Sequence, residues 1–298
     1  MLILHDLRCA DYGSSMRPEQ PARVTRSVAH LRAAHPDWIW RVPAESVATD
    51  DALLLAHAPA HLKRLSQPRD FDADTPYFDD IGGHARRAVA AALEAARHAL
   101  ERKSPVFSLM RPPGHHATAA QAMGFCYLNQ IAIAALYAQK QLGAARVAVW
   151  DFDAHHGNGT ESILHAQAAS AHFFFASVHQ HPGYPGTGTH DLGPRTRNWP
   201  VAPHTPRADH MAALRASLDA VVAFNPNLIL VSAGFDAYAR DPITSMTLER
   251  EDFATLGRWL AEVRVRHGIP AAALLEGGYH EDLPLLIDAF MTAWNNPA

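Results

Sequence analysis

Asp151, Asp153 and His155 follow one another at every second position where an apolar run, Val147–Trp150, ends. In an extended segment alternate side chains share a face, so a carboxylate and an imidazole at this spacing can bind one metal ion. A third ligand must come from elsewhere. Asp236, just beyond a second apolar run at Leu228–Val231, is the best-placed candidate. Asp153, His155 and Asp236 would give three protein ligands and room for water, the open arrangement of a catalytic zinc. A lone Asp-x-His turn would ordinarily cap a surface helix, here one starting near Gly157. The buried strand before it, and a second His-His pair at 115–116, favour the metal reading. His115 and His116 follow Pro112-Pro113-Gly114, a stiff turn that fixes where the rings point. Their imidazoles titrate near working pH, which suits paired acid–base work; two solvated loop histidines are the alternative. Tyr279 follows two glycines that let the backbone pass close to a ligand. Its phenol could donate to a developing oxyanion or simply sit at the edge of the core.

Composition narrows the chemistry. The 298 residues include 20 His against 26 Lys+Arg and 30 Asp+Glu, for a net charge of −4. That balance excludes a basic, phosphate-coating surface, so no nucleic-acid partner is expected. Cys9 and Cys126 are the two cysteines, too few for a thiolate zinc site or a disulfide framework. Any metal must therefore be held by histidine and carboxylates. The opening Met-Leu-Ile-Leu-His-Asp is too short and too soon acidic for a secretory signal. No 18-residue apolar run appears, so no membrane partner is expected and the cytoplasm is the expected compartment.

The elements that must position these residues alternate along the chain. Apolar runs at Leu2–Leu4, Val106–Met110, Val147–Trp150, Phe173–Val178, Leu228–Val231 and Ala272–Leu275 read as strands. Helical periodicity fills His84–Leu100, Leu128–Leu142, Ala208–Phe224, Glu249–Arg266 and Glu281–Trp294. Buried runs bounded by helices imply parallel strands, and no linker or repeat divides them. A single doubly wound α/β domain over residues 1–298 is expected, with a mostly parallel sheet flanked by helices. Five strands lead into polar, glycine-rich segments at 111–116, 151–160, 179–188, 232–237 and 276–279. The carboxyl ends of parallel strands form the ligand crevice, so the five should meet on one rim.

Taken together, these residues resemble the zinc-dependent histone deacetylase superfamily, which includes acetylpolyamine amidohydrolases. The resemblance rests on Arg-Pro-Pro-Gly-His-His (111–116), Gly-Phe-Cys-Tyr-Leu-Asn (124–129), Asp-x-Asp-x-His-His-Gly-Asn-Gly-Thr (151–160), Pro-Gly-Thr-Gly (185–188) and Ser-Ala-Gly-Phe-Asp (232–236). It extends from Met16 to Tyr279 and implies the arginase/deacetylase fold. Position by position, Asp153, His155 and Asp236 look like the zinc ligands and His116 like the general base. His115 looks like its acid or electrostatic partner, oriented by Asp151, and Tyr279 like the tyrosine that polarises the acyl oxygen. Gly124 and Phe125 look like part of an acyl-lysine tunnel, with Tyr184 as the opposite wall. A potassium ion beside the zinc is also implied, at Asp151, Asp153, His155, Ser177 and Val178. Asn158 stands where other branches place an aspartate beside the base, as in the class II-like branch. An amide orients the ring without stabilising an imidazolium as a carboxylate would, so a less basic His116 is expected. Gln130 replaces the second asparagine of the family's common Asn-Asn pair; the sequence offers no functional account of it.

The resemblance implies metal-assisted amide hydrolysis. His116 would take a water proton, Tyr279 would donate to the oxyanion, and a protonated histidine would serve the leaving amine. The implied substrates are an acetylated or longer-acylated lysine side chain, or an acetylpolyamine. Arg69–Asp80 carries Asp70, Asp72, Asp74, Asp79 and Asp80. This segment is either an acidic rim for a cationic substrate or peptide amides, or a solvated loop. His156 is expected to pack behind the ligands, and His179 and His181 are candidates for the rim. Two other readings compete. An arginase- or agmatinase-like two-manganese ureohydrolase would need carboxylates for a second metal, and Gly-Phe-Asp-Ala-Tyr around Asp236 has no Asp-x-Asp pair. A non-catalytic acyl-lysine binding module should have lost a ligand, the base or the tyrosine, and none is missing.

Overall fold

Continuous apolar runs form the middle of one all-parallel sheet, and mixed segments form its edges. The computed structural model describes residues 1–167 and 172–296. The strands are β1 (Leu2–Leu4), β2 (Ile39–Arg41), β3 (Val106–Ser108), β4 (Val147–Asp151), β5 (Phe173–Gln180), β6 (Thr196–Val201), β7 (Leu228–Ala233) and β8 (Ala271–Leu275). They are ordered β2-β1-β3-β8-β7-β4-β5-β6 in a single domain. Every residue of β3, β4, β7 and β8 is buried, as a sheet covered on both faces requires. Asp151 at the end of β4 lies opposite Ser232 of β7 and Ser177 of β5.

The covering layers are helices. The longer ones are α1 (Ala22–Ala34), α4 (Ile81–Arg102), α5 (Gln130–Gln141), α7 (Arg207–Ala223), α8 (Arg250–His267) and α9 (Leu283–Asn295). Three shorter α-helices are α2 (Asp50–Leu53), α3 (Pro59–Leu65) and α6 (Asn158–His165), and single 3₁₀ turns lie at Leu7–Ala10 and Glu45–Val47. The expected helices are all present, and α4 begins three residues before His84. Periodicity does not signal helix α1, nor the edge strands β2 and β6. Both edges lack a continuous apolar run. Ile39 and Arg41 of β2 are exposed, and β6 mixes Thr196, Arg197 and Asn198 with Trp199 and Val201 and carries Pro200, a proline that an edge strand tolerates.

Strand order decides the site. Strands β3, β8, β7, β4 and β5 are neighbours, so the five glycine-rich segments that succeed them emerge side by side along one edge, as the sequence pattern anticipates.

The core also contains histidines held neutral. His210 of α7 is buried, and its Nδ1 has no hydrogen-bond partner among the described residues. Burial pushes its pKa down to about 4, with Asp252 working weakly against it. The unfolded chain titrates near 6.5, so the folded form binds fewer protons between those values. Stability from this position is complete above about pH 6.5 and is lost as pH falls toward 4, a span worth about 3 kcal/mol. His210→Leu should therefore flatten the fall of Tm between pH 7 and 4.5. Parallel Tm curves for variant and parent would contradict the assignment.

Candidate active site

The chain leaves the sheet at Asp151, and carboxylate-to-backbone bonds shape the turn beyond it. Asp151 Oδ1 accepts from the Asp153 amide at 3.1 Å, and Asp153 Oδ1 accepts from the His155 amide at 2.9 Å. Asp153 Oδ2 takes the Gly277 amide at 2.7 Å, and Asp236 Oδ1 takes the Ala154 amide at 2.8 Å. These bonds bring Asp153, His155 and Asp236 together. His155 Nδ1 lies 2.8 Å from Asp236 Oδ2 and 3.2 Å from Asp153 Oδ1. The grouping matches the sequence expectation, but its cause differs. Strand β4 ends at Asp151, so Asp153 and His155 are aligned by a hydrogen-bonded turn and not by strand alternation. Glycines make room: a Cβ on Gly277 would sit 2.2 Å from Asp236 Oδ2, and one on Gly234 2.1 Å from Asp153 Oδ2.

This cradle suits a divalent cation. One imidazole nitrogen and two buried carboxylates lie within 4.8 Å of one another, a hard nitrogen and oxygen set. Burial disfavours a charged His155, but Asp236 and Asp153 outweigh it and raise its pKa well above the ordinary value. The carboxylate pair thus draws positive charge to this point.

The neighbouring histidines are driven apart in charge. His115 Nδ1 lies 3.1 Å from Asp151 Oδ2, and its Nε2 lies 3.8 Å from Asp153 Oδ1. Burial opposes its protonation, yet Asp153, Asp151 and Glu276 lift its pKa to about 10. His116 is held well below its ordinary value, first by burial and then by His115 and His155. Its Nδ1 lies 2.8 Å from Asn158 Oδ1, and that bond pulls the other way. In this chain the low basicity of His116 has burial as its first cause, followed by the neighbouring His115 and His155. The two rings are 4.0 Å apart. Opposed pKa values in adjacent groups are how acid and base roles are divided.

His116, His155 and Tyr279 line one cavity of about 280 Å³ together with Gly124, Phe125 and Tyr184. Gly124 has a positive φ of 56°, and a Cβ there would meet His116 Cδ2 at 2.5 Å and Tyr184 Cε1 at 3.0 Å. The Phe125 ring lies 5.8 Å from that of Tyr279, and the Tyr184 ring 5.1 Å from that of His116. The structure thus gathers the expected tunnel residues at the expected histidines. Tyr279 itself is half-buried, and desolvation at the cavity wall raises its phenol pKa well above the ordinary value of 10.

A second tier of residues carries weaker sequence signals. Asp241 Oδ2 accepts the Tyr279 amide at 2.7 Å. Arg23 lies 4.7 Å over the Tyr279 ring, and its Nε donates to the Gly278 carbonyl at 2.7 Å. Glu19 binds Arg111 Nε and Nη2 at 2.5 and 2.6 Å and reaches Arg23 Nη1 at 3.3 Å. Glu276, pushed up to about 7 by burial, accepts the Gly114 amide at 2.7 Å and the His115 amide at 3.2 Å. Arg111 and Glu276 open recognisable motifs, which is the signal that could have found them. Asp241 has none, because its role comes from where the chain folds back.

Several expected rim groups lie elsewhere. His179 is fully buried, with its ring 4.5 Å from that of His156 and its Nε2 3.1 Å from the Gly188 carbonyl. His156 is buried against His179 and Phe175, with Nδ1 2.7 Å from Thr187 Oγ1. In the acidic segment Asp70 accepts the Tyr77 amide, Asp72 accepts the Asp74 and Thr75 amides, and Asp80 pairs with Arg87. Of the five aspartates, Asp74 alone lines the cavity. The segment is mainly a folded loop with one carboxylate at the site.

Comparisons with known proteins agree with this geometry. A family model described as histone deacetylase domain matches residues 17–292. A probable deacetylase of Methanothermobacter thermautotrophicus is 36% identical over 269 residues, covering 85% of this chain and 79% of its own. The crystal structure of the HDA15 HD domain superposes with a TM-score of 0.87 at 28% identity, over 99% of this chain and 90% of that one. The crystal structure of an acetylpolyamine aminohydrolase from Burkholderia pseudomallei superposes with the same TM-score of 0.87 at 25% identity, over 99% and 98%.

Proposed function

Because the chain belongs to the histone deacetylase family, we propose that it is a zinc-dependent amidohydrolase that removes acetyl or longer acyl groups from the lysine side-chain amine or from acylated polyamines. The observation that carries this reading is a single cavity lined by His116, His155 and Tyr279, with Asp153 and Asp236 bound to His155 from behind. Asp153, His155 and Asp236 would hold zinc, which when bound supplies a Lewis acid for the acyl carbonyl and acidifies water. His116 donates from Nδ1 to Asn158, which leaves Nε2 free to take a proton from water. His115, kept protonated by its carboxylates, places fixed positive charge beside that base and is the proton source for the leaving amine. Tyr279 keeps its proton and offers it to the developing oxyanion. Gly124, Phe125 and Tyr184 enclose the alkyl chain and exclude water from it.

The same reading includes a structural potassium at Asp151, Asp153, His155, Ser177 and Val178, supported by the register that sets Ser177 opposite Asp151. It also includes the cytoplasm as compartment, which the two buried free thiols favour. The ureohydrolase alternative gains no support from the second cluster of potential ligands, His115, Cys126 and Glu276, which offers one carboxylate where a bridged metal pair needs several.

Chelated protein reconstituted with zinc should release acetate from an acetyl-lysine peptide or acetylputrescine, with activity saturating at one zinc per chain. Urea release from arginine or agmatine, or no acetate at any metal loading, would overturn the proposal.

A further inference from the structure

Two opposite charges stand at the mouth of the catalytic cavity, and neither is neutralised. Arg17 and Asp74 both line it. Among the described residues the Arg17 guanidinium makes no hydrogen bond or ion pair, and the Asp74 carboxylate likewise has no side-chain partner. Both are carried on braced backbone. Arg17 directly precedes Pro18 and Glu19, and Glu19 is locked by two bonds to the buried Arg111. Asp74 sits in a turn closed by Asp72, whose Oδ1 accepts the Asp74 amide at 3.0 Å. That turn is fastened to the tunnel wall through Thr75 Oγ1, which accepts the Phe125 amide at 3.1 Å. The rest of the lining near the mouth, Pro18, Tyr184 and Ile243, carries no charge.

From this juxtaposition we infer that the substrate is a free ω-N-acyl α-amino acid, of which Nε-acetyl-lysine is the type, with its carboxylate on Arg17 and its ammonium on Asp74. The inference rests on the amidohydrolase reading and specifies its substrate class. An acylated polyamine would satisfy Asp74 but would bring a like charge to Arg17. An acyl-lysine inside a peptide has neutral amides at this point and leaves Arg17 without an anion. A zwitterionic head uses both groups, and charge-assisted pairs are the stronger class of hydrogen bond. Hydrolysis breaks the side-chain amide C–N bond and joins the water oxygen to the acyl carbon. Both water protons end on the ε-nitrogen, so acetate and lysine with a charged ε-ammonium leave.

Three compounds that differ only at the head test it on zinc-loaded protein: Nε-acetyl-lysine, N-acetylcadaverine, which lacks the carboxylate, and N-acetyl-aminocaproate, which lacks the ammonium. Nε-acetyl-lysine should have the highest kcat/KM, by about tenfold or more over each. Arg17→Gln should cut the lysine-to-cadaverine ratio by about tenfold, and Asp74→Asn should cut the lysine-to-aminocaproate ratio similarly. Calorimetric binding of Nε-acetyl-lysine to parent and Arg17→Gln protein gives a readout independent of turnover. Turnover of all three compounds with ratios unmoved by either variant would overturn the inference while leaving the amidohydrolase in place. Binding that depends on Arg17 with no acetate released from any compound would overturn the amidohydrolase reading and leave the mouth assignment standing. A preference for N-acetylcadaverine or for blocked peptide would also overturn it.

Discussion

Asp236→Ala should leave the protein without its metal. Asp236 supplies one of two carboxylates in the cradle, and its Oδ2 is the closer of the two to His155 Nδ1. Without it, one carboxylate and one imidazole remain, too few for a retained catalytic zinc. Zinc measured by elemental analysis after gel filtration should fall from one per chain to near zero, and kcat/KM by roughly a thousandfold or more. The alanine also strips the Ala154 amide of its acceptor, and a buried unpaired donor costs about 1–3 kcal/mol. Asp236→Asn separates the effects, because the side-chain oxygen can still accept from Ala154 while the charge is gone. Asparagine should recover most of the lost Tm and little of the lost zinc. In metal-free protein the same change should lower the His155 pKa, since Asp236 is the foremost group raising it against burial. Full zinc occupancy in either variant would remove Asp236 from the site.

How far the sequence discloses this site depends on what holds each part together. The central strands are legible because burial on both faces leaves only apolar residues in them, as in Val147–Trp150 and Leu228–Val231. The edges β2 and β6 mix exposed and buried positions, so periodicity has little to act on there. Asp153, His155 and Asp236 are legible as residue types at the ends of buried strands, whereas the turn that joins them is not. That turn is made by side chains bonding backbone amides across 82 residues, from Asp236 to Ala154, and across 124, from Asp153 to Gly277. The same limit applies to Asp241, whose partner is the Tyr279 amide brought near by the fold. The acidic run at 70–80 shows the reverse error. Its charge draws attention as a surface feature, yet Asp70 and Asp72 spend theirs closing a loop.

Tyr279→Phe should keep the fold and the zinc and lose most of the turnover. The ring is placed independently of its hydroxyl: Asp241 takes the backbone amide, Arg23 covers the face, and Phe125 packs at 5.8 Å. Phenylalanine preserves all three contacts, so Tm and metal content should match the parent. The change removes one proton donor at the cavity, and loss of one oxyanion donor costs roughly 10²–10³ in kcat. Because the donor acts only once negative charge has developed on the acyl oxygen, KM should change little. The phenol's elevated pKa, due first to burial and opposed by Arg23, adds a second signature. A donor that stays protonated past pH 10 cannot produce an alkaline fall in rate below that pH, so any such fall in the parent should persist with the same midpoint in the variant's residual activity. Full activity in Tyr279→Phe would leave the oxyanion without a donor from this chain, and the acyl carbonyl would then have to be stabilised by the metal alone.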